Sequence, residues 1–377
     1  MERLGLEARR RDVLFQALDY WLLVPVLAIG VIGLYVLNFV LENQFARSYP
    51  RNILVQLLAF GLGLIVLVVL TLFEAQLLRP FGWGLYLLAL GLQALLPVFG
   101  SANIAAATGS NAWLVLPGIG TFQPSELAKV ALCIVIGHLL ADIRTGRLAL
   151  LPGILLFGLI VAPHLGLIIV YQRDAGTGLV ILFMLAVMVF VQGIRLRWIL
   201  LAFSLGIISL PLIWTKLLRP YQQGRILAFL FPHYDAASTY NVDQAKLAIA
   251  SGGLTGNKTG PWVHVPVQES DFIFSAVGEY MGLIGTGLLI VLAFFFLLRC
   301  VVVSARMETP AARYMASGVT AIFAIHYIEN IGMNIGLLPV TGIPLPFVSQ
   351  GGSAMVVNFM ALGVLMNFSF GYRMERV

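Results

Sequence analysis

The side chains of this sequence that can do chemistry are few, and they gather in a handful of places. In Gln123-Pro-Ser-Glu-Leu-Ala-Lys129, Glu126 and Lys129 stand three positions apart, so on a helix they share a face and can neutralise each other. They could be an internal ion pair that fixes packing, or the polar wall of a cavity. Asp271 precedes the apolar run Phe272, Ile273, Phe274. A carboxylate at a water–hydrocarbon boundary can hold its proton to higher pH and act as a general base, but Asp is also a favoured helix N-cap. Glu279 follows about two turns on, between Gly278 and Gly282, which permit close packing. Asp174, after Arg173, has the same choice between cap and function. Arg47, Arg51 and Arg225 suit a phosphate-bearing headgroup, and each alone could equally be an interfacial arginine with its stem in the apolar layer.

The elements that must position these residues are membrane spans. Of 377 residues 60% are hydrophobic and 11% charged, where a soluble domain carries about 25% charge to meet water. Runs close to the roughly 20 apolar residues that cross a bilayer recur at 20–41, 52–73, 80–99, 123–141, 148–170, 179–193, 198–215, 272–303, 311–333 and 352–370. The sequence therefore predicts an all-α polytopic membrane protein of about ten transmembrane helices, as a single membrane domain over 1–377. The basic first eleven residues lead into a full-length span, not the short apolar core of a cleavable signal.

Arginine sets the orientation. Arg79, Arg144, Arg147, Arg195, Arg197, Arg299, Arg306, Arg313 and both basic termini fall on one side, while the short opposite loops hold Arg47, Arg51 and Arg173. Both termini are thus expected to be cytoplasmic, with one long outer loop over 216–271. Loops of that length are usually functional, and an amphipathic surface helix is expected over 242–251. Two outer segments, 100–121 and 334–350, are rich in Gly, Pro, Ser and Asn; they read as re-entrant or lid-like walls, since irregular backbone at membrane depth needs protein or a wet cavity around it.

Several function classes drop out. The net charge of +6 is an orientation signal and requires no nucleic acid. The glycine-rich run before Lys258 has Asn257 where a phosphate-binding loop needs Gly, which argues against an ATP-driven pump. His138, His164, His326 and Glu329 lack metal-ligand spacing. Cys133 and Cys300 fall in different spans, so no disulfide framework is expected.

Over nearly the whole chain these motifs resemble the SEDS family (shape, elongation, division and sporulation). The resemblance rests on the Gln123 to Lys129 segment, Arg173-Asp-Ala-Gly-Thr177, Glu269-Ser-Asp-Phe-Ile-Phe274, and Gly336-Leu-Leu-Pro-Val-Thr-Gly-Ile-Pro-Leu-Pro-Phe-Val-Ser-Gln-Gly-Gly-Ser353. Within the family the chain is more similar to the RodA branch than to FtsW. The resemblance implies a peptidoglycan glycosyltransferase that polymerises lipid II into a growing glycan strand on the outer face of the bacterial cytoplasmic (inner) membrane. It also implies a class B penicillin-binding protein as transpeptidase partner. It carries the essential acid onto Asp271 and other important positions onto Glu126, Lys129 and Asp174, with Arg51 and Arg225 beside them. Gln350 stands where Tyr is common, and 240–246 reads Tyr-Asn-Val-Asp-Gln-Ala-Lys against a more usual Tyr-Gln and Gln-Ser pattern.

The implied chemistry suits a sparse ionisable set. An α-linked sugar diphosphate becomes a β-linked glycan by direct attack, and the acceptor hydroxyl needs a base, Asp271. The diphosphate leaves readily, so no second carboxylic acid is required. It needs positive charge, from Arg, Lys or a divalent cation such as Mg or Mn; no other cofactor is called for. The competing readings are a flippase for lipid-linked precursors, which needs a polar path to both faces, and a non-catalytic scaffold, for which the outer acids are dispensable.

Overall fold

The computed structural model describes residues 18–44, 49–101, 110–116, 120–193, 220–231 and 236–374, with residues 204, 208–209, 211–212 and 214–215. In chain order the described helices are α1 (Tyr20–Gln44), α2 (Tyr49–Thr71), α3 (Leu78–Phe99), α4 (Pro124–Arg144), α5 (Leu150–Gly166), α6 (Ala175–Val191), α7 (Pro220–Leu230), α8 (Ala236–Ser251), α9 (Ile273–Ala305), α10 (Pro310–Asn334) and α11 (Gly352–Met374). Five residues of wider π-helical turn, Leu167–Tyr171, extend α5. Nine of the ten expected spans coincide with these helices; most of 198–215 lies outside the described residues, as do Arg47, Lys216 and Arg219. Among the described residues the fold is all-α apart from one hairpin of β1 (Leu114–Leu116) with β2 (Gly120–Phe122). That hairpin forms part of the 100–121 segment, and its strands were not foreseen.

Six of the helices are long and apolar enough to cross a membrane, and α6 is a shorter apolar helix. On α2, Leu54, Leu58, Leu62, Ile65 and Val69 follow helical spacing and are all more than half exposed. Contiguous apolar surface of this kind is a liability in water and costs nothing against lipid. By contrast, α4 and α10 hold most of the charge inside the bundle and are buried nearly all round. Sheathed by α3, α6, α9 and one another, they need not be apolar.

Polar groups at the helix ends are matched in pairs. Asp19, buried before α1, accepts from Arg299 near the end of α9 at 2.7 Å and from the Ser369 hydroxyl of α11 at 2.9 Å. Asn367 of α11 donates to the Leu70 carbonyl at the end of α2 at 3.0 Å, one of the carbonyls a helix terminus leaves without a partner. Arg79, Asp142, Arg147 and Arg299 therefore share one end of the bundle. The first turns of α4, α6 and α9 lie at the other.

The long loop does not simply lie on a membrane surface. Its helix α8 begins at Ala236, earlier than expected, and buries Ala245 and Ala248 against Val265 and Phe272. Beyond α8 the backbone inserts into α9, which breaks at Gly282 (φ 64°, ψ −162°). The freed groups find partners in the loop: Leu283 N–H donates to the Gly253 carbonyl at 2.9 Å, Ile284 N–H to that of Leu254 at 3.1 Å, and Asn257 N–H to the Glu279 carbonyl at 2.7 Å. So close an approach requires glycine, because a Cβ on Gly252 would fall 1.9 Å from the Gly278 carbonyl oxygen. Gly252→Ala is expected to destabilise the protein by about 1–3 kcal/mol through this backbone clash. A lowered thermal midpoint in detergent checks it, with Gly84→Ala, at a site with open space, as control.

Candidate functional site

Asp271 stands on a tight turn. Val267, a β-branched residue at φ 58°, holds a backbone conformation that costs such a residue strain. Its carbonyl accepts from both the Ser270 and Phe272 N–H groups at 3.3 Å. The N-cap of α9 is Phe272, without a side-chain cap bond, so the Asp271 carboxyl is not spent on capping. It accepts from the Ser270 hydroxyl at 3.2 Å. Its main chain is fixed from α10, where Asn330 and Asn334 donate their amides to the Asp271 carbonyl at 2.8 and 3.2 Å.

The same Asn330 amide donates to the Ile343 carbonyl at 2.8 Å, tying Asp271 to the 336–351 segment. That segment is irregular, and all of it but Leu337 is buried or half-buried, as a re-entrant wall should be. Ser349 fastens it twice, donating to the Ser270 carbonyl at 2.6 Å and accepting from Leu345 N–H at 2.8 Å. Gln56 of α2 holds its far side, donating to the Ser349 carbonyl at 3.0 Å and accepting from Gly351 N–H at 3.1 Å.

Gly342 lies at the centre. Its φ is +76°, and a Cβ there would come within 3.3 Å of Asp271 Oδ2 and 4.0 Å of Arg225 Nη1. The absent side chain thus lets the carboxylate and the guanidinium both approach the same point beside the Gly342 backbone. Arg225, on α7, is steadied by a 3.2 Å bond to the Val340 carbonyl, and beside it is a small cavity, about 60 Å³, shared with Asp243, Lys246 and Gly336. Asp174 adds a third charge: Gly176, two residues on, packs against the Thr341 carbonyl. Burial pushes the Asp271 carboxyl above the usual carboxylate range; the Arg225 guanidinium and the Ser270 hydroxyl oppose that shift, and the Asp174 charge adds to it. Burial likewise raises Glu269.

Asp174 is a cap as well. Its carboxylate accepts from Thr177 N–H at 2.9 Å and the Thr177 hydroxyl at 2.7 Å, and from the Gln123 amide at 2.8 Å, joining the starts of α4 and α6. Glu126 and Lys129 form the ion pair, 2.8 Å long and buried. Lys129 Nζ also lies 2.9 Å from His326 Nε2, and His326 Nδ1 lies 3.0 Å from the Pro344 carbonyl. A carbonyl can only accept, so Nδ1 carries the proton and Nε2 accepts from Lys129. A buried relay thus runs from α4 to α10 and on to the 336–351 segment. The second Glu126 oxygen, Oε2, is buried with no partner among the described residues.

The structure therefore gathers Asp271, Arg225, Asp174, Glu126 and Lys129 around one segment. It does not bring Glu279 or Arg51 into that cluster. Glu279 is buried, accepting from Val263 N–H at 2.6 Å and the Gln268 amide at 3.2 Å, and so secures the loop that leads to Asp271. Arg51 is exposed near the start of α2, more than a turn before Gln56. Reading only ionisable residues missed Gln56, Asn330, Asn334 and Ser349. The spacing of Asn330 and Asn334, four apart on an otherwise packed helix, was the available signal. Among the described residues no group of three or more His, Cys, Asp or Glu side chains could hold a metal ion. Lys129→Met is expected to cost about 3–5 kcal/mol by stranding Glu126 in the interior. Thermal unfolding of Lys129→Met beside Glu126→Gln/Lys129→Met checks this, with the double variant recovering most of the loss.

The family model for the FtsW/RodA/SpoVE cell cycle proteins matches residues 16–373. The peptidoglycan glycosyltransferase MrdB of Escherichia coli K12 is 33% identical over 317 residues, covering 81% of this chain and 82% of its own. The probable peptidoglycan glycosyltransferase FtsW of Trichlorobacter lovleyi is 29% identical over 379 residues, covering 98% and 97%. Among solved structures, a chain of a peptidoglycan synthase complex that coordinates polymerization and crosslinking superposes with a TM-score of 0.77 at 28% identity, over 94% of this chain and 97% of its own. The rod shape determining protein RodA of Thermus thermophilus superposes with a TM-score of 0.67 at 27% identity, over 94% and 96%. With its buried polar helices, irregular 336–351 wall and apolar outer surface, the chain belongs to the FtsW/RodA/SpoVE, or SEDS, family of multi-pass membrane proteins.

Proposed function

We propose that this protein is a peptidoglycan glycosyltransferase that polymerises lipid II into glycan strands on the outer face of the bacterial cytoplasmic membrane. A class B penicillin-binding protein is its transpeptidase partner. The carrying observation is that Gly342, by lacking a side chain, lets the Asp271 carboxylate and the Arg225 guanidinium come within 3.3 and 4.0 Å of one point beside its backbone. Membrane relatives that bear the name peptidoglycan glycosyltransferase support the reaction class, and the arginines at the opposite end of the bundle support the outward placement.

In this reading Asp271 accepts the proton of the acceptor sugar hydroxyl as its oxygen attacks the anomeric carbon of the donor. The new β-glycosidic C–O bond forms while the bond from that carbon to the diphosphate breaks, and the electron pair leaves with the diphosphate. Arg225 faces the charge that develops there, where a preorganised cation in a low-dielectric site stabilises most. Asp174, Gln123 and the Glu126–Lys129–His326 relay position the walls. The raised affinity of Asp271 for a proton suits a general base, because a base transfers protons best when its pKa lies nearer the operating pH.

Asp271→Asn keeps the shape and removes the base. It is expected to lower polymerisation of purified lipid II by about 10²–10⁴-fold, read as loss of glycan ladders; ladders at the native rate would refute the assignment. The acid limb of the pH–rate profile should lie above the ordinary carboxylate range, with activity falling as pH drops through the Asp271 pKa. Since Arg225 lowers that pKa, Arg225→Ala should move the limb to still higher pH and reduce the maximal rate. A limb that does not move would show that the guanidinium does not act on Asp271.

A further inference from the structure

At the arginine-bearing end of the bundle, α3, α4 and α5 enclose a second cleft, about 380 Å³ in volume. Glu126 and Asp142 bracket α4, so this cleft lies about 24 Å along the helix from the relay that supports the site, at the opposite end of the bundle. Its rim is ionic. Arg79, before the body of α3, meets Asp142 at 2.6 Å, and Arg147, in the connection to α5, approaches the same carboxylate at 3.8 Å. Two guanidinium groups therefore share one carboxylate and leave a net positive charge. They are 51% and 75% exposed, so neither is committed to the protein interior. Apart from His138, whose Nδ1 lies 2.9 Å from the Ile134 carbonyl, the rest of the cleft is apolar or interfacial: Trp83, one turn from Arg79, with Val135, Leu139, Leu148, Leu156 and Ile160. On α5, which supplies Leu156 and Ile160, Leu151, Ile154, Leu155 and Leu159 are all more than half exposed, so the helix that walls the cleft also faces hydrocarbon.

We infer that this cleft is a binding site for an anionic phospholipid of the leaflet opposite the catalytic cluster. The lipid phosphate lies between Arg79 and Arg147, Trp83 sits at headgroup level, and one acyl chain runs along Leu148, Leu156 and Ile160. Three features select this occupant. Paired arginines with excess positive charge match a phosphodiester, which guanidinium groups bind through parallel N–H bonds. Basic pockets between transmembrane helices on the arginine-rich side are where anionic headgroups bind. A soluble anion would have no use for the apolar wall below. Asp142 then acts as an internal competitor, holding the two guanidinium groups in place and weakening the site enough for lipid exchange. None of these residues belongs to the Asp271 cluster, so the inference stands or falls independently of the proposed reaction.

The test is lipid retention by the purified full chain, measured by native mass spectrometry after exchange into phosphatidylglycerol or into phosphatidylcholine with the same acyl chains. Phosphatidylglycerol should be retained at least about fivefold better, and Arg147→Ala should lose about fivefold of that preference, the value of one basic residue near an anionic surface. Arg79→Ala/Arg147→Ala should abolish it, and Asp142→Asn should strengthen it. Because Arg147 is largely exposed, the single variant leaves the fold intact; equal retention of the two lipids by the native chain, or undiminished preference in Arg147→Ala, would overturn the site. Complete displacement of the lipid by inorganic phosphate would also overturn it, revealing a soluble-anion site.

Discussion

A peptide carbonyl at membrane depth has no water to accept from and must be given a donor by the protein. Everything at the Asp271 end of this molecule follows from how that demand is met. The 336–351 segment and the turn before α9 are both irregular, and their carbonyls would be orphaned if the two simply lay side by side. Asn330 answers for both, donating from one amide to the Asp271 and Ile343 carbonyls at 2.8 Å each. Asn334, one turn on, donates to the Asp271 carbonyl as well and accepts from the Ser275 N–H. An unpaired buried polar group costs about 1–3 kcal/mol, so the two segments are locked in register. The position of the Asp271 carboxylate relative to Gly342 and Arg225 follows from that lock.

The same demand explains the break in α9. A helix that loses its own hydrogen bonds at Gly282 must be repaired by another part of the chain, and the 252–257 backbone does this. The glycines there serve contact: the Gly253 carbonyl accepts from Leu283 N–H, and a Cβ on Gly252 or Gly256 would strike the Gly278 or Tyr280 carbonyl oxygen. Glu279, in the same turn of α9, binds Val263 N–H and the Gln268 amide and so holds the descending limb of that loop. The long loop before α9 is thus anchored in the membrane-spanning part of the fold at two points before it delivers Asp271. These anchors restrain Asp271, a residue outside regular structure, where the proposed role as a base would demand positioning to a fraction of an ångström.

Charge is handled by enclosure. The Glu126–Lys129 pair, with His326 accepting from the lysine, runs through the buried core of α4 and α10, where removal of one partner is far more costly than the pair itself is stabilising. The relay ends on the Pro344 carbonyl, two residues from Gly342. Polar contacts that look merely structural therefore converge on the same few backbone atoms as the asparagine lock. At the opposite end, charge is left at the rim: Arg79 and Arg147 meet Asp142 at the surface, and Asp19 is closed in by Arg299 and Ser369.

How much of this was legible in the sequence can be traced residue by residue. Apolar length and arginine placement determined the helices, since both depend on composition summed along the chain. Three-residue spacing likewise determined that Glu126 and Lys129 would meet. Asp271 and Asp174 were left as caps or functional groups, because a carboxylate before a helix has the same local sequence in either role. The family resemblance put the essential acid on Asp271, and the tertiary structure supplied the physical distinction, placing Phe272 at the cap of α9 and leaving the Asp271 carboxyl near Arg225, while Asp174 proved to be a cap that also receives Gln123. Asn330, Asn334, Ser349 and Gln56 carried no charge to mark them, and their roles exist only through partners as far as 295 residues away in the chain. Local sequence sets which groups are available and on which helix face. Which carbonyl each one satisfies, and hence where the Asp271 carboxylate sits, is set by long-range contacts that no local pattern encodes.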